Sequence, residues 1–219
     1  MLQRFILALV MAFATQGIAW ADIQVEAPDV HVGDLWHFRT VDGFTNETTL
    51  EFTHRVVEVN DREIVVQLKN KNAKGSELRY YNHEWNSVDS GDVKFYPFYP
   101  AYKFPMSVGG AWKQEYRTTA TNGKASTGYL SGKVVAFEKV TVPAGVFDAY
   151  KTEADVETQG TDANANITKA HRVTWYAPAI KNYVRIEITT SSDGRVRSKN
   201  ITELVESSLQ DKRALPVAP

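Results

Sequence analysis

The sequence predicts an all-β protein, an antiparallel meander of about a dozen strands whose two related halves form curved sheets or a partly open barrel. Three observations predict this. Apolar and polar residues alternate with period two, most strictly where Tyr183, Arg185, Glu187 and Thr189 share one face and Val184, Ile186, Ile188 and Thr190 the other. No stretch longer than about two turns meets the i, i+3, i+4 spacing of an amphipathic helix. A Val-Gly-x-x-Trp opening occurs twice, at Val32-Gly33-Asp34-Leu35-Trp36 and Val108-Gly109-Gly110-Ala111-Trp112.

The first half spans residues 22–105. After a short lead-in with one proline, Leu35 to Val41 reads as a strand. Thr48 to Val59 follows, with Leu50, Phe52, His54 and Val56 on one side. Val57 and Val59 break that phase, which predicts a bulge near Val56-Val57. Asn60-Asp61 turns the chain into a returning strand, Glu63 to Leu68. Leu78 to Trp85 is an aromatic strand, and Asn86 to Gly91 a polar turn. Lys94 to Pro105 then carries Phe95, Tyr96, Phe98, Tyr99, Tyr102 and Phe104 among three prolines. Prolines at that spacing argue against a helix and a central strand, so an extended loop is expected here. Its rings either cover an open end of their own sheet or form a ligand-facing rim.

The second half spans residues 106–206. Its strands are Ala111 to Thr119, Gly128 to Val140, Phe147 to Thr158, Ile167 to Tyr176, Tyr183 to Thr190 and Arg195 to Val205. Val142-Pro143-Ala144-Gly145 is a tight turn, with proline fixing one φ and glycine permitting a positive one. Each half follows its tryptophan with a strand, an Asn-containing turn (Asn46, Asn122) and a longer strand carrying a Val-Val pair, Val56-Val57 or Val134-Val135. Similar spacing after both openings reads as an internal repeat. Residues 207–219 lack periodicity and read as a loose tail.

Val140-Thr141-Val142-Pro143-Ala144-Gly145-Val146-Phe147-Asp148-Ala149-Tyr150-Lys151 resembles the VPAG-x-F turn of TapB-like and related secreted bacterial β-domains of unknown function. Trp175-Tyr176-Ala177-Pro178 resembles their WYAP segment, and Phe104-Pro105 through Trp112 their strand opening. The resemblance covers about Phe104 to Val205 and departs at Ala179-Ile180-Lys181-Asn182, where those domains usually have glycines. It implies an extracytoplasmic β fold and supplies no catalytic residues.

Residues 1–21 read as a cleaved signal peptide: Arg4, an apolar run from Phe5 to Phe13, and Ala19-Trp20-Ala21 as the cleavage site, leaving Asp22 as the new terminus. The expected location is periplasmic or secreted. There is no cysteine, hence no disulfide, thiolate metal site or lipid-attachment thiol. The net charge of −1, with both signs interspersed, leaves no electrostatic footprint for nucleic acid. No later run is long and apolar enough for a transmembrane helix.

Chemistry-bearing motifs are sparse. His31, His37 and His83 lack metal-ligand spacing, and Asp162 to Asn166 lacks the glycine and terminal glutamate of a calcium loop, so no metal or cofactor is expected. There is no G-x-S-x-G, and paired carboxylates for glycoside hydrolysis meet in space rather than in sequence. The leading expectation is therefore a non-enzymatic exported protein that binds an envelope partner. The alternatives are a carrier of a lipophilic ligand, marked by an apolar cavity lined from both halves, and a polysaccharide-acting enzyme, marked by two close carboxylates in a groove. Tyr96, Phe98, Tyr99 and Tyr102 are the candidate ligand- or partner-binding residues.

Overall fold

The computed structural model describes residues 24–161, 165 and 167–210; the expected signal peptide and the end of the expected tail lie outside them. Twelve antiparallel strands, each paired with its sequence neighbours, close into one barrel when the last pairs with the first. They are β1 (Leu35–Asp42), β2 (Thr48–Val59), β3 (Ile64–Asn70), β4 (Glu77–Tyr81), β5 (Ser87–Asp89), β6 (Val93–Tyr99), β7 (Ala111–Ala120), β8 (Ala125–Val142), β9 (Gly145–Gly160), β10 (Ile167–Ala177), β11 (Asn182–Ser192) and β12 (Arg195–Ser208). Closure satisfies the backbone donors and acceptors that an open sheet leaves at its edges. No helix among the described residues is long and apolar enough to cross a membrane.

Alternation sorts the side chains. Trp36 and Phe38 of β1 point inward and are fully buried, as are Val56, Leu130, Val184 and Leu204. Charged residues take the outward positions: Arg185 pairs with Glu187 at 2.7 Å and with Glu203, which also meets Arg39 at 3.7 Å. The two ends differ. At one end, Tyr102, Phe104 and Met106 fold across the opening and are buried, Tyr102 and Phe104 against Tyr176. Met106 exchanges two backbone hydrogen bonds with Val25 (2.9 and 2.8 Å), and a 3-10 turn at Pro178–Ile180 completes the plug. Toward the other end burial fades, and Leu50, on the same face of β2 as Phe52 and His54, is 41% exposed.

The strand order follows the expected meander, and the expected bulge is present, with Val57 unmatched between Val56↔Val66 and Glu58↔Val65. Three expectations need correction. The proline-rich segment is not a loop throughout: Val93–Tyr99 is β6. It pairs with β7 only from Val93 to Tyr96, and with β5 at Lys94 and Tyr99, so Pro97 falls where no ladder bond needs its missing N–H. The aromatic strand ends at Tyr81, because the Asn82 side-chain oxygen accepts the N–H groups of Glu84 (3.0 Å) and Asn86 (2.9 Å) and turns the chain before β5. Ser207 and Ser208 belong to β12 rather than to a tail; Leu209 packs on the core, and the Gln210 N–H is donated to the Asp34 carboxylate.

The two Val-Gly-x-x-Trp openings have matching local geometry. Gly33 (φ +97°) donates to the Val56 carbonyl at 2.9 Å, and Gly109 (φ +92°) to the Val134 carbonyl at 2.9 Å. Each valine donates back to the residue after the glycine, Asp34 (2.9 Å) or Gly110 (2.8 Å). Trp36 Nε1–H is given to the Ile180 carbonyl and Trp112 Nε1–H to the Pro100 carbonyl, both at 2.9 Å. Each indole thereby fastens a plug segment that belongs to the other half of the strand order.

Candidate functional site

Beneath the plug lies a cavity of about 220 Å³, lined from both halves of the chain. β2 contributes His54, β4 Tyr81, the turn between β4 and β5 Trp85, β6 Tyr99 and the plug Tyr102; β10 contributes Arg172 and β11 Tyr183 and Ile186. Alternation places these side chains. Arg172 has the parity of Thr174 and Tyr176, both buried, while Trp175 between them lies on the opposite face, against Glu138.

Arg172 dominates the electrostatics. Its Nε–H donates to Thr174 Oγ1 at 3.0 Å, and its guanidinium carbon lies 5.7 Å from the Tyr99 ring centre and 5.9 Å from that of Tyr102. Arg172 is half-buried; desolvation opposes its charge, but Tyr99, through charge and a hydrogen bond, and Tyr102 and Tyr183 beside it outweigh that, and its pKa is raised. No ion pair to a carboxylate neutralises it among the described residues. The other groups are neutral. Burial, aided by the charge of Arg79, pushes the His54 pKa down to about 3. Burial pushes Tyr102 up to about 12 against the opposing pull of Arg172, and it raises Tyr81 and Tyr183 as well. Arg79 itself is engaged by Glu77 at 2.8 Å. Two buried polar atoms of the lining lack a hydrogen-bond partner of normal geometry, His54 Nε2 and the Tyr102 hydroxyl, the latter interacting with the Arg172 guanidinium beside it. An orphaned buried polar atom costs about 1–3 kcal/mol, so His54 Nε2, beside an under-satisfied hydroxyl and a cation without a carboxylate, is costly unless something occupies the space.

The rings around the site are held by packing. Tyr183 stacks on Phe38 with centres 4.4 Å apart, and His54 sits 5.0 Å from Phe52. Asn86 accepts the Tyr102 N–H at 2.8 Å and donates to its carbonyl at 3.1 Å, which fixes Tyr102 over the cavity. Trp85 Nε1–H is given to the Lys181 carbonyl at 2.7 Å.

Of the four aromatic candidates, Tyr99 and Tyr102 meet at this cavity. Phe98 lies instead in a shallow outer groove with Glu84 and Lys103, and Tyr96 is 76% exposed on the outside. Sequence reasoning missed Arg172, His54, Tyr81 and Tyr183. A signal for Arg172 was present: in Ala170-His171-Arg172-Val173-Thr174-Trp175-Tyr176 it holds the position of Tyr176 in the alternation, a charge on an inward parity. Arg172, His54, Ser87 and Asn182 place polar groups in the lining, beside the apolar surface expected of a lipophilic carrier. Among the described residues no carboxylate lines the cavity; Glu115 and Glu157 share a shallow outer groove, where Lys169 holds Glu157 at 2.7 Å. Among the described residues, no cluster of three or more His, Asp or Glu side chains is placed to hold a metal ion.

No protein-family model matches the chain, and no curated protein matches it. Solved structures do share the fold. A protein from Parabacteroides distasonis ATCC 8503, described as a lipoprotein, superposes with a TM-score of 0.56 at 15% identity, over 84% of this chain and 99% of its own. A protein from Bacteroides fragilis NCTC 9343, described as an exported protein with YmcC-like fold, superposes with a TM-score of 0.53 at 16% identity, over 85% of this chain and 100% of its own. At such identities the likeness is one of fold.

Proposed function

We propose that this chain is an exported envelope protein that acts by binding, with a small ligand held inside its barrel. The observation that carries this reading is the partly open cavity in which Arg172 has no neutralising carboxylate and two buried polar atoms have no partner of normal geometry. Evolution seldom leaves such groups uncompensated in a core, and a polar ligand supplies what they lack. Export is supported by Arg4, the apolar run after it and Ala19-Trp20-Ala21, and by the descriptions of the two fold neighbours as a lipoprotein and an exported protein. We read the two halves as related, as the matching glycine, valine and tryptophan geometry supports. The resemblance to TapB-like domains agrees with an extracytoplasmic β fold. A surface partner has weaker support, since Tyr96 is one exposed ring and not a contiguous patch.

The test is native mass spectrometry of protein recovered from the cell envelope, combined with N-terminal sequencing. A terminus at Asp22 and a mass above that of the polypeptide, lost on denaturation, are expected. Met1 retained on the envelope-associated protein contradicts signal cleavage. A mass equal to the bare chain under gentle conditions contradicts a resident ligand.

A further inference from the structure

We propose that the cavity takes a small monocarboxylate with a compact apolar tail. Its carboxylate sits on the Arg172 guanidinium, within reach of the Tyr102 hydroxyl and His54 Nε2, and its tail lies against Trp85, Tyr183 and Ile186. This inference rests on the binding reading above and names the chemical class of the ligand.

The argument starts from what Arg172 lacks. A guanidinium stays charged, and its planar fork of N–H groups matches a carboxylate in two parallel hydrogen bonds. Here Nε is given to Thr174, and the guanidinium otherwise meets the side-chain hydroxyls of Tyr99 and Tyr102 and no carboxylate among the described residues. The tyrosine faces beside it stabilise a cation but do not neutralise it. The Tyr102 hydroxyl remains protonated, since burial holds its pKa at about 12, and while its oxygen meets Arg172 its proton is left to donate. His54 is neutral at ordinary pH and donates from Nε2 in the tautomer that carries the proton there. A cation and two donors converging in one cavity form a receptor for an oxyanion.

Charge and size narrow the class. One unneutralised guanidinium compensates one negative charge, because Arg79 is already paired with Glu77 and the remaining lining groups are neutral. A dianion would bring a second charge into the interior without a partner. The lining also includes Trp85, whose indole N–H is given to Lys181, with Ala101 and Ile186, and these offer carbon surface rather than hydrogen bonds. A dry engineered cavity of about 150 Å³ holds benzene. A cavity of about 220 Å³ therefore has room for a ring and a carboxyl group, but not for a whole lipid.

Trp85 in the wall makes indole fluorescence a usable reporter, with isothermal titration calorimetry as the second readout. The probes are phenylacetate, benzoate and hexanoate, each set against its neutral amide, on the mature protein. At least one acid is expected to bind about tenfold or more tighter than its amide, the equivalent of one charge-assisted pairing. Arg172→Gln is expected to abolish that preference. Tyr102→Phe, which removes the hydroxyl and keeps the ring, is expected to weaken the acid severalfold without lowering the melting temperature. If Arg172→Gln does not fold, the acid-to-amide ratio in the wild type and the Tyr102→Phe result decide the matter. Amides that bind as well as their acids overturn the carboxylate assignment and leave the binding reading standing, as does acid binding that survives Arg172→Gln. No binding by any probe, with only bare polypeptide in the native spectrum, overturns both.

Discussion

The openings at Trp36 and Trp112 share a backbone and differ in how they seat the tryptophan. In both, a positive-φ glycine docks on the first valine of a Val-Val pair, and the second valine of that pair is bulged out of register. Around the indoles the likeness ends. Trp112 lies over Gly132, its direct partner on β8, so closely that an added Cβ would stand 2.4 Å from the ring. Trp36 has His54 and Ser207 as its cross-strand partners and stands edge-on to Trp85 at 5.6 Å. Asp34 follows Gly33 as a buried carboxylate that accepts the His31 N–H at 2.9 Å and the Gln210 N–H, where the second opening has only Gly110. Backbone geometry at these sites follows from glycine and the strand it meets, whereas side-chain seating follows from whatever faces it. One seat is a glycine floor suited only to packing; the other borders the residues of the cavity.

Removing the rings tests this at its largest. Trp36→Ala and Trp112→Ala each delete a buried indole and its hydrogen bond to a plug carbonyl, and each is expected to cost about 3–5 kcal/mol. Urea melts measure the loss. If the seats differ as described, Trp36→Ala also perturbs the cavity through Trp85, so the Trp85 fluorescence response to carboxylate probes changes in that variant and not in Trp112→Ala. Identical responses would remove the functional half of the comparison.

Gly132→Ala separates the seats further. Its methyl group meets the five- and six-membered rings of Trp112, which are buried and cannot swing aside cheaply, and overpacking of this kind costs about 1–3 kcal/mol. The double variant Gly132→Ala with Trp112→Leu is expected to cost less than the sum of its parts, because the methyl then has room. Strict additivity in a double-mutant cycle would show that the ring does not rest on that glycine.

What was legible in the sequence, and what was not, follows the same division. Alternation along Val184 to Thr190, the glycine before each tryptophan and the broken phase at Val57 are local backbone signals, and each corresponds to a strand, a positive φ or a bulge; Tyr183 departs from its expected face beside Arg185, because the register shifts at Trp175/Tyr176 and its ring lies inside on Phe38. Pro97 misled because its effect depends on pairing: a proline is excluded from a strand only where a partner needs its N–H, and β6 has left β7 by then. Trp85 misled because the turn before it is made by the Asn82 side chain, which overrides strand propensity. The site itself was hardest to read. His54, Tyr102 and Arg172 are separated by 48 and 70 positions in the chain and meet only because closure brings β2, the plug and β10 around one space.

His54 makes acid sensitivity a property of the first opening, since it faces Trp36 while Trp112 faces a glycine. Its folded pKa of about 3 lies below the ordinary 6.5. Above the ordinary value it is neutral in both states and pH has no leverage through it. As pH falls from 6.5 toward 3 the unfolded chain takes a proton that the folded one refuses, so stability drops by about 1.4 kcal/mol per pH unit from this residue. His54→Leu is expected to flatten the stability curve in that window. Parallel curves for wild type and variant between pH 7 and pH 5 would assign the acid limb to other groups.

The smallest effect probes what the openings have in common. Gly33 and Gly109 hold φ values of +97° and +92°, a region that side-chain-bearing residues rarely adopt, so Gly33→Ala and Gly109→Ala should each cost about 1–2 kcal/mol for the backbone alone. Nothing lies within 4 Å of the position a Cβ would take at Gly109, so its cost is wholly conformational. At Gly33 the Cβ would stand 3.0 Å from Gln210 Cγ, the flexible side chain of the residue whose N–H is given to Asp34. Gly33→Ala is therefore expected to exceed Gly109→Ala by a few tenths of a kcal/mol, a difference that should vanish when Gln210→Ala is added. Chemical denaturation of the four proteins measures this. A neutral Gly109→Ala would mean that the φ of this opening is not what calls for glycine, and the shared backbone would then need another cause.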